Sequence, residues 1–147
     1  MRVDTNPESV RDESLANVYQ SAGYGTASAY LSRPGFVKRS FPCGVFGFFA
    51  FDQEGDLIGF ARVFSDDDLC SWIAEMCVRS DRDQNKVRGA ILKEMIERFG
   101  HTAIYTEAFQ EEIEAYRAVG ITAKSKLIAL SRAPTLEPRR KPEPFIH

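Results

Sequence analysis

The chain has 147 residues, 44% hydrophobic and 12% aromatic, enough to close one core and too few for two ordinary domains. A net charge of −2 and a pI of about 5.7 lack the basic footprint of a nucleic-acid binder, so no polyanion is implied as a partner. No basic start leads into an apolar core and no run of about 18 apolar residues occurs, so neither secretion nor membrane spanning is implied and the expected compartment is the cytoplasm.

Along the chain, Val10, Leu15, Val18 and Tyr19 recur at helical spacing and predict a helix over 8–20, with Asn6 and Pro7 as start signals. Gly23-Tyr24-Gly25 ends it, a short helical piece follows at Thr26 to Leu31, and Pro34-Gly35 breaks the pattern again. The period then changes. Residues 43–52 and 57–65 are apolar runs around the turn Gln53-Glu54-Gly55-Asp56 and predict a hairpin. After the polar turn Asp66-Asp67-Asp68, residues 69–78 are apolar on both faces, as a central strand would be. Ile91, Leu92, Met95, Ile96 and Phe99 form one helical stripe from Ala90 on, closed by Gly100. Residues 102–107 predict a strand, 109–119 a helix with Phe109, Ile113 and Tyr116 on one side, and 121–131 a last strand. From Ala133 the composition shifts to four of the seven prolines and the trio Arg139-Arg140-Lys141. This predicts one domain over 1–132 and a proline-rich basic tail over 133–147.

The segment Gln84-Asn85-Lys86-Val87-Arg88-Gly89 lies between the strand ending Glu75-Met76-Cys77-Val78 and the helix stripe. A strand, a tight turn and a helix N-terminus aim unpaired N–H groups at one point with the positive helix end behind them, a site for a phosphate-bearing cofactor. Lys86 and Arg88 add positive charge to that turn.

The order of elements, with this segment, resembles the GNAT superfamily of N-acetyltransferases, whose loop has the form (Gln/Arg)xxGx(Gly/Ala). Gln84 matches its first position and Gly89 its last. Tyr116-Arg117-Ala118-Val119-Gly120-Ile121 is similar to the Tyr-xxx-Gly-Phe segment of such proteins, and Gly59 to Asp66 (GFARVFSD) to the third strand of small bacterial members. The middle glycine of the loop pattern is Val87. A β-branched residue there donates its N–H to a diphosphate only at negative φ and only where its methyls leave room.

The resemblance implies an α/β (α+β) fold with a mixed central sheet of about six strands flanked by about four helices. It also implies acetyl transfer from acetyl-CoA to a primary amine by direct attack in a ternary complex. The amine must lose a proton, and Glu75, three residues before Val78, is the implied base. Tyr116 is the implied donor of a proton to the departing thiolate. A backbone N–H near Met76 would polarise the thioester oxygen, Cys77 and Val78 would pair with the pantetheine arm, and Gln84, Asn85, Lys86, Val87, Arg88, Gly89 and Ala90 would hold the diphosphate. The acceptor, a small-molecule or peptide amine, would meet Tyr24, Tyr30, Arg33 and Phe36, and a homodimer is implied by the resemblance alone. The alternative is a GNAT-like module that binds acyl-CoA or a protein partner without catalysis.

Other chemistries lack their residues. With only His101 and His147, neither HExxH nor a zinc finger can be built, so no metal is expected. There is no GxSxG elbow and no GxxxxGK(S/T) loop. Cys43, Cys70 and Cys77 lack CxxC spacing and read as free buried thiols, with Cys70 and Cys77 on opposite faces of one strand. Asp66 to Asp68 and Glu111, Glu112 and Glu114 read as solvated faces.

Overall fold

The computed structural model describes residues 1–124 and 126–132. Five strands, β1 (Arg2–Asp4), β2 (Val45–Phe51), β3 (Leu57–Ser65), β4 (Cys70–Val78) and β5 (Ala103–Thr106), lie side by side in chain order. The first four are antiparallel neighbours, and β5 runs parallel to β4. The parallel connection is made by α4 (Gln84–Phe99), as a crossover between parallel strands requires. The other helices are α1 (Asp12–Ser21), α2 (Ala27–Tyr30), α3 (Phe36–Ser40) and α5 (Ile113–Ala118).

Both faces of the sheet are covered, which is why β2 and β3 read as continuous apolar runs. Phe48, Ala50, Ala61, Val63 and Ile73 pack with the α4 stripe of Val87, Ile91, Leu92, Met95 and Phe99. Phe49, Phe51, Phe60 and Cys77 pack on the opposite side with Leu15, Val18 and Tyr19 of α1, Tyr30 of α2 and Phe36 of α3.

Several boundaries differ from the sequence reading for local reasons. Asn6 does cap a helical turn, its Oδ1 accepting from the Glu8 N–H at 3.0 Å, but that turn is the 3-10 segment Pro7–Ser9, and α1 begins at Asp12. Pro34-Gly35 starts a helix as well as breaking one, because Gly35 takes φ +70° at the cap of α3. The three-residue β1 is too short to show a period and carries no signal in the sequence. No strand forms in the described part of 121–131, and Leu127, Ile128 and Leu130 are 65%, 83% and 88% exposed, with no layer packed on them. The described sheet therefore has five strands rather than six, flanked by five helices rather than four. The tail at 133–147 lies outside the described residues.

A bulge in β4 decides which face each residue of its second half presents. Arg62 pairs with Glu75 while the next residue, Val63, pairs with Ile73, so Ala74 is the extra residue. It reverses the side-chain alternation of the strand after it. Trp72, Glu75 and Cys77 oppose Phe64, Arg62 and Phe60, which share one face of β3. By the same shift Cys70 and Cys77 share a face, contrary to the count from sequence. Cys77 is buried, whereas Cys43 and Cys70 are exposed.

Candidate active site

β5 pairs with β4 only from Cys70 to Ile73. Beyond the bulge, Ala74 to Val78 continue along β3 with no strand on their second edge among the described residues. The strands separate there around a cavity of about 160 Å³, walled by Ala74, Glu75 and Met76 of β4, by Thr106 at the end of β5 and Glu107 to Phe109 after it, and by Tyr24, Glu112 and Tyr116. An unpaired strand edge facing a cavity can accept an extended ligand through main-chain hydrogen bonds.

Glu75 stands at the edge of this cavity in a polar cluster. Its Oε1 accepts from Arg62 Nη2 at 2.8 Å, and its Oε2 accepts from the Tyr19 hydroxyl. The side chains of Arg62 and Glu75 are 21% and 9% exposed. A carboxylate so placed requires its partners, because burying the charge without them would be costly. Burial, with the Glu75 carboxylate beside it, pushes the Tyr19 phenol well up, so it stays a donor.

Tyr116 lines the cavity from α5 and is 3% exposed. Burial, reinforced by the nearby Glu112 carboxylate, pushes its phenol up to about 12, which keeps the proton in place at neutral pH. Glu112 lies one helical turn before Tyr116 and so on the same side. Contrary to the solvated reading, it is 6% exposed. Its Oε2 accepts from the Phe109 N–H at 3.1 Å, and its Oε1 lies 3.5 Å from Arg88 Nη2. Burial raises its carboxyl above the ordinary 4.5, opposed by the Phe109 N–H and by Arg88.

The expected diphosphate segment is not a loop. Gln84 is the first residue of α4, so Gln84 to Ala90 fill its first two turns. Asp83 is the cap: its Oδ1 accepts from the Lys86 N–H at 3.2 Å, and its carbonyl accepts from the Val87 N–H at 3.1 Å. Arg88 turns inward, 7% exposed, and donates to Gln84 Oε1 at 3.1 Å and Asn85 Oδ1 at 3.4 Å. Its charge is spent within the protein. Lys86 is exposed, and Val87 is 3% exposed with its isopropyl group in the core beneath Gly59. The bulk of Val87 therefore does not obstruct the helix end.

No protein-family model matches the chain, and no curated protein matches its sequence. Solved structures do. A GNAT family acetyltransferase of Streptococcus pneumoniae TIGR4 is 16% identical with a TM-score of 0.61, the match covering 90% of this chain and 98% of that one. The aminoglycoside 6'-N-acetyltransferase of Enterococcus faecium is 16% identical with a TM-score of 0.60, covering 82% and 84%. An acetyltransferase of Trypanosoma brucei is 9% identical with a TM-score of 0.56, covering 89% and 99%. The fold is that of the GNAT acetyltransferases.

On this GNAT fold the residues expected to bind acetyl-CoA divide into two groups. Met76, Cys77 and Val78 lie on the length of β4 that has no second strand beside it among the described residues, an edge that can accept an extended chain through its backbone. The group from Gln84 to Ala90 does not fit a diphosphate as it stands, because the Asp83 carboxylate already accepts from the helix end and Arg88 is committed to Glu112. Of the expected acceptor contacts, Tyr24 reaches the cavity, whereas Tyr30 and Phe36 are buried in the aromatic cluster with Tyr19, at centroid separations of 4.6 and 5.8 Å from it. Arg33 is exposed and does not line the cavity. Among the described residues no His, Cys, Asp and Glu group could hold a metal ion, and no helix is long and apolar enough to cross a membrane.

Proposed function

We propose that this GNAT-fold protein is a cytoplasmic acyltransferase that moves an acetyl group from a pantetheine thioester, with acetyl-CoA as the expected donor, to a primary amine. The observation that carries this reading is the edge of β4 beyond Ile73, unpaired among the described residues, whose Ala74 to Met76 open onto a cavity that Tyr116 lines. The arm would add to that edge as a strand does. In the transfer the amine nitrogen attacks the thioester carbonyl, the C–N bond forms and the C–S bond breaks. One proton leaves the nitrogen and one joins the sulfur. Tyr116, protonated at neutral pH, is the proposed donor to sulfur. Glu75 is the proposed acceptor of the amine proton, since Arg62 and Tyr19 each occupy one of its oxygens and leave a lone pair on each. A backbone N–H near Met76 is the proposed donor to the developing oxyanion.

Glu107 and Glu112 share the cavity wall with Glu75, a lining that favours a cationic amine, as small-molecule and peptide acceptors carry. Two similar structures bear names that place their action on aminoglycosides. Thiol release from acetyl-CoA across a panel of amines, peptide N-termini included, tests the reading. Amine-dependent release supports it, and binding without release for every acceptor favours the second reading, a module that holds the thioester only. The engagement of both Glu75 oxygens is the observation on that side.

A further inference from the structure

Resting on the acyl-transfer reading, we propose that Asp83 makes this protein select its donor by the pantetheine arm and not by the adenosine diphosphate. The matching donor class is a thioester of pantetheine, free or carried on a single phosphate.

A helix N-terminus attracts an anion because its first N–H groups have no partners within the helix. In α4 that place is taken by the chain itself. The Asp83 carboxylate accepts from the Lys86 N–H at 3.2 Å, so an incoming diphosphate meets a negative charge already seated on one of the donors at this helix end. Of the surrounding cations Lys86 is exposed, a single flexible charge beside the Asp83 carboxylate, and the three arginines are already engaged. Arg79 donates to Asp81 at 3.0 and 2.7 Å, Arg82 lies 2.9 Å from Asp52, and Arg88 is turned inward to Gln84, Asn85 and Glu112. The turn is also tethered from outside, its Ser80 N–H donating to Ser21 Oγ of α1 at 3.0 Å. By contrast, the β4 edge from Ala74 to Val78 has no second strand on it among the described residues, and Ala74 to Met76 open to the cavity. Affinity is thus available along the arm and opposed at the diphosphate.

Calorimetric titration with coenzyme A and with pantetheine separates the two contributions without turnover. For the unmodified protein the two dissociation constants should agree within about threefold. Asp83→Gly opens the helix end and should tighten coenzyme A about tenfold while leaving pantetheine unchanged. Asp83→Ser, which keeps a neutral cap, should move coenzyme A in the same direction by less, and guards against fraying of α4. A preference of the unmodified protein for coenzyme A of about a hundredfold or more, or a ratio that neither substitution alters, would overturn the inference while leaving the acyl-transfer reading in place. Binding of neither compound by any of the three proteins would instead overturn that reading itself.

Discussion

Arg88 of α4 and Glu112 of the segment leading into α5 meet at 3.5 Å with side chains 9% and 8% exposed, joining α4 to the segment whose Glu112 lines the cavity. Removing one partner of a buried pair leaves the other charge uncompensated, at a cost of roughly 3 kcal/mol. Arg88→Met is expected to lower stability by about that amount at pH 8. The deficit should shrink in acid as Glu112 takes up a proton. Urea unfolding at the two pH values checks both statements, and a pH-independent deficit would show that the lost term is packing.

The Glu112 carboxyl is raised above 4.5 in the folded protein, chiefly by burial. The folded state therefore holds this proton more tightly than the unfolded chain. The stability it contributes is fully present below pH 4.5 and is lost as pH rises through the higher folded value. Compared with Glu112→Gln, which does not titrate, the unmodified protein should lose stability across that window. Unfolding free energies of the two proteins at closely spaced pH values give the difference directly, and a difference rising with pH would reverse the assignment.

Tyr116→Phe deletes a hydroxyl whose proton is retained to about pH 12 and keeps the ring that fills the wall. If that hydroxyl protonates sulfur, turnover should fall by about a hundredfold with thioester binding nearly unchanged. Thiol release and calorimetry on the same preparation separate the two quantities. Equal turnover would remove Tyr116 from the chemistry.

Tyr19→Phe removes the hydroxyl that donates to Glu75 and leaves the stack on Tyr30 at 4.6 Å. A hydrogen bond to a charged group contributes roughly 1.5–3 kcal/mol. Chemical denaturation should show a loss in that range, and a loss near zero would mean that Arg62 alone satisfies the carboxylate.

Gly59→Ala would place a methyl 2.9 Å from Val87 Cγ1 and 3.0 Å from the Cys77 carbonyl oxygen. Overpacking of this kind costs about 1–3 kcal/mol. Part of the cost should return in the Gly59→Ala, Val87→Ala double variant, whose shortened residue 87 makes room. Additive losses would place the strain at the strand backbone.

The layered fold was legible because its strong signals were local. The runs 43–52 and 57–65 and the stripe Ile91, Leu92, Met95 and Phe99 each name one buried surface. What was not legible depends on partners distant in sequence. Nothing around Glu112 announces that Arg88 will bury it, although its spacing of four from Tyr116 places both on one helix side and could have drawn notice. The expected loop at Gln84 to Gly89 is helical because Asp83, just outside the matched hexapeptide, is a strong cap. Val87, which the pattern singled out as an obstacle, is a core residue of α4. Glu75 and Tyr116, the two residues singled out for chemistry, both line one cavity. Their spacing in sequence carries no trace of Tyr19, 56 positions upstream of Glu75.

The extra residue at Ala74 is a constraint on register more than on identity. Its methyl group is replaceable, but a strand that paired regularly through Ala74, with no residue left over, would turn Glu75 toward α4 and Met76 toward α1. The acid would then lose Arg62 and Tyr19 together, and the thioether would stand in their place. Substitutions of Ala74 should be tolerated widely, and its deletion should leave Glu75 opposite Arg62, whereas a one-residue insertion beside it would break that pairing.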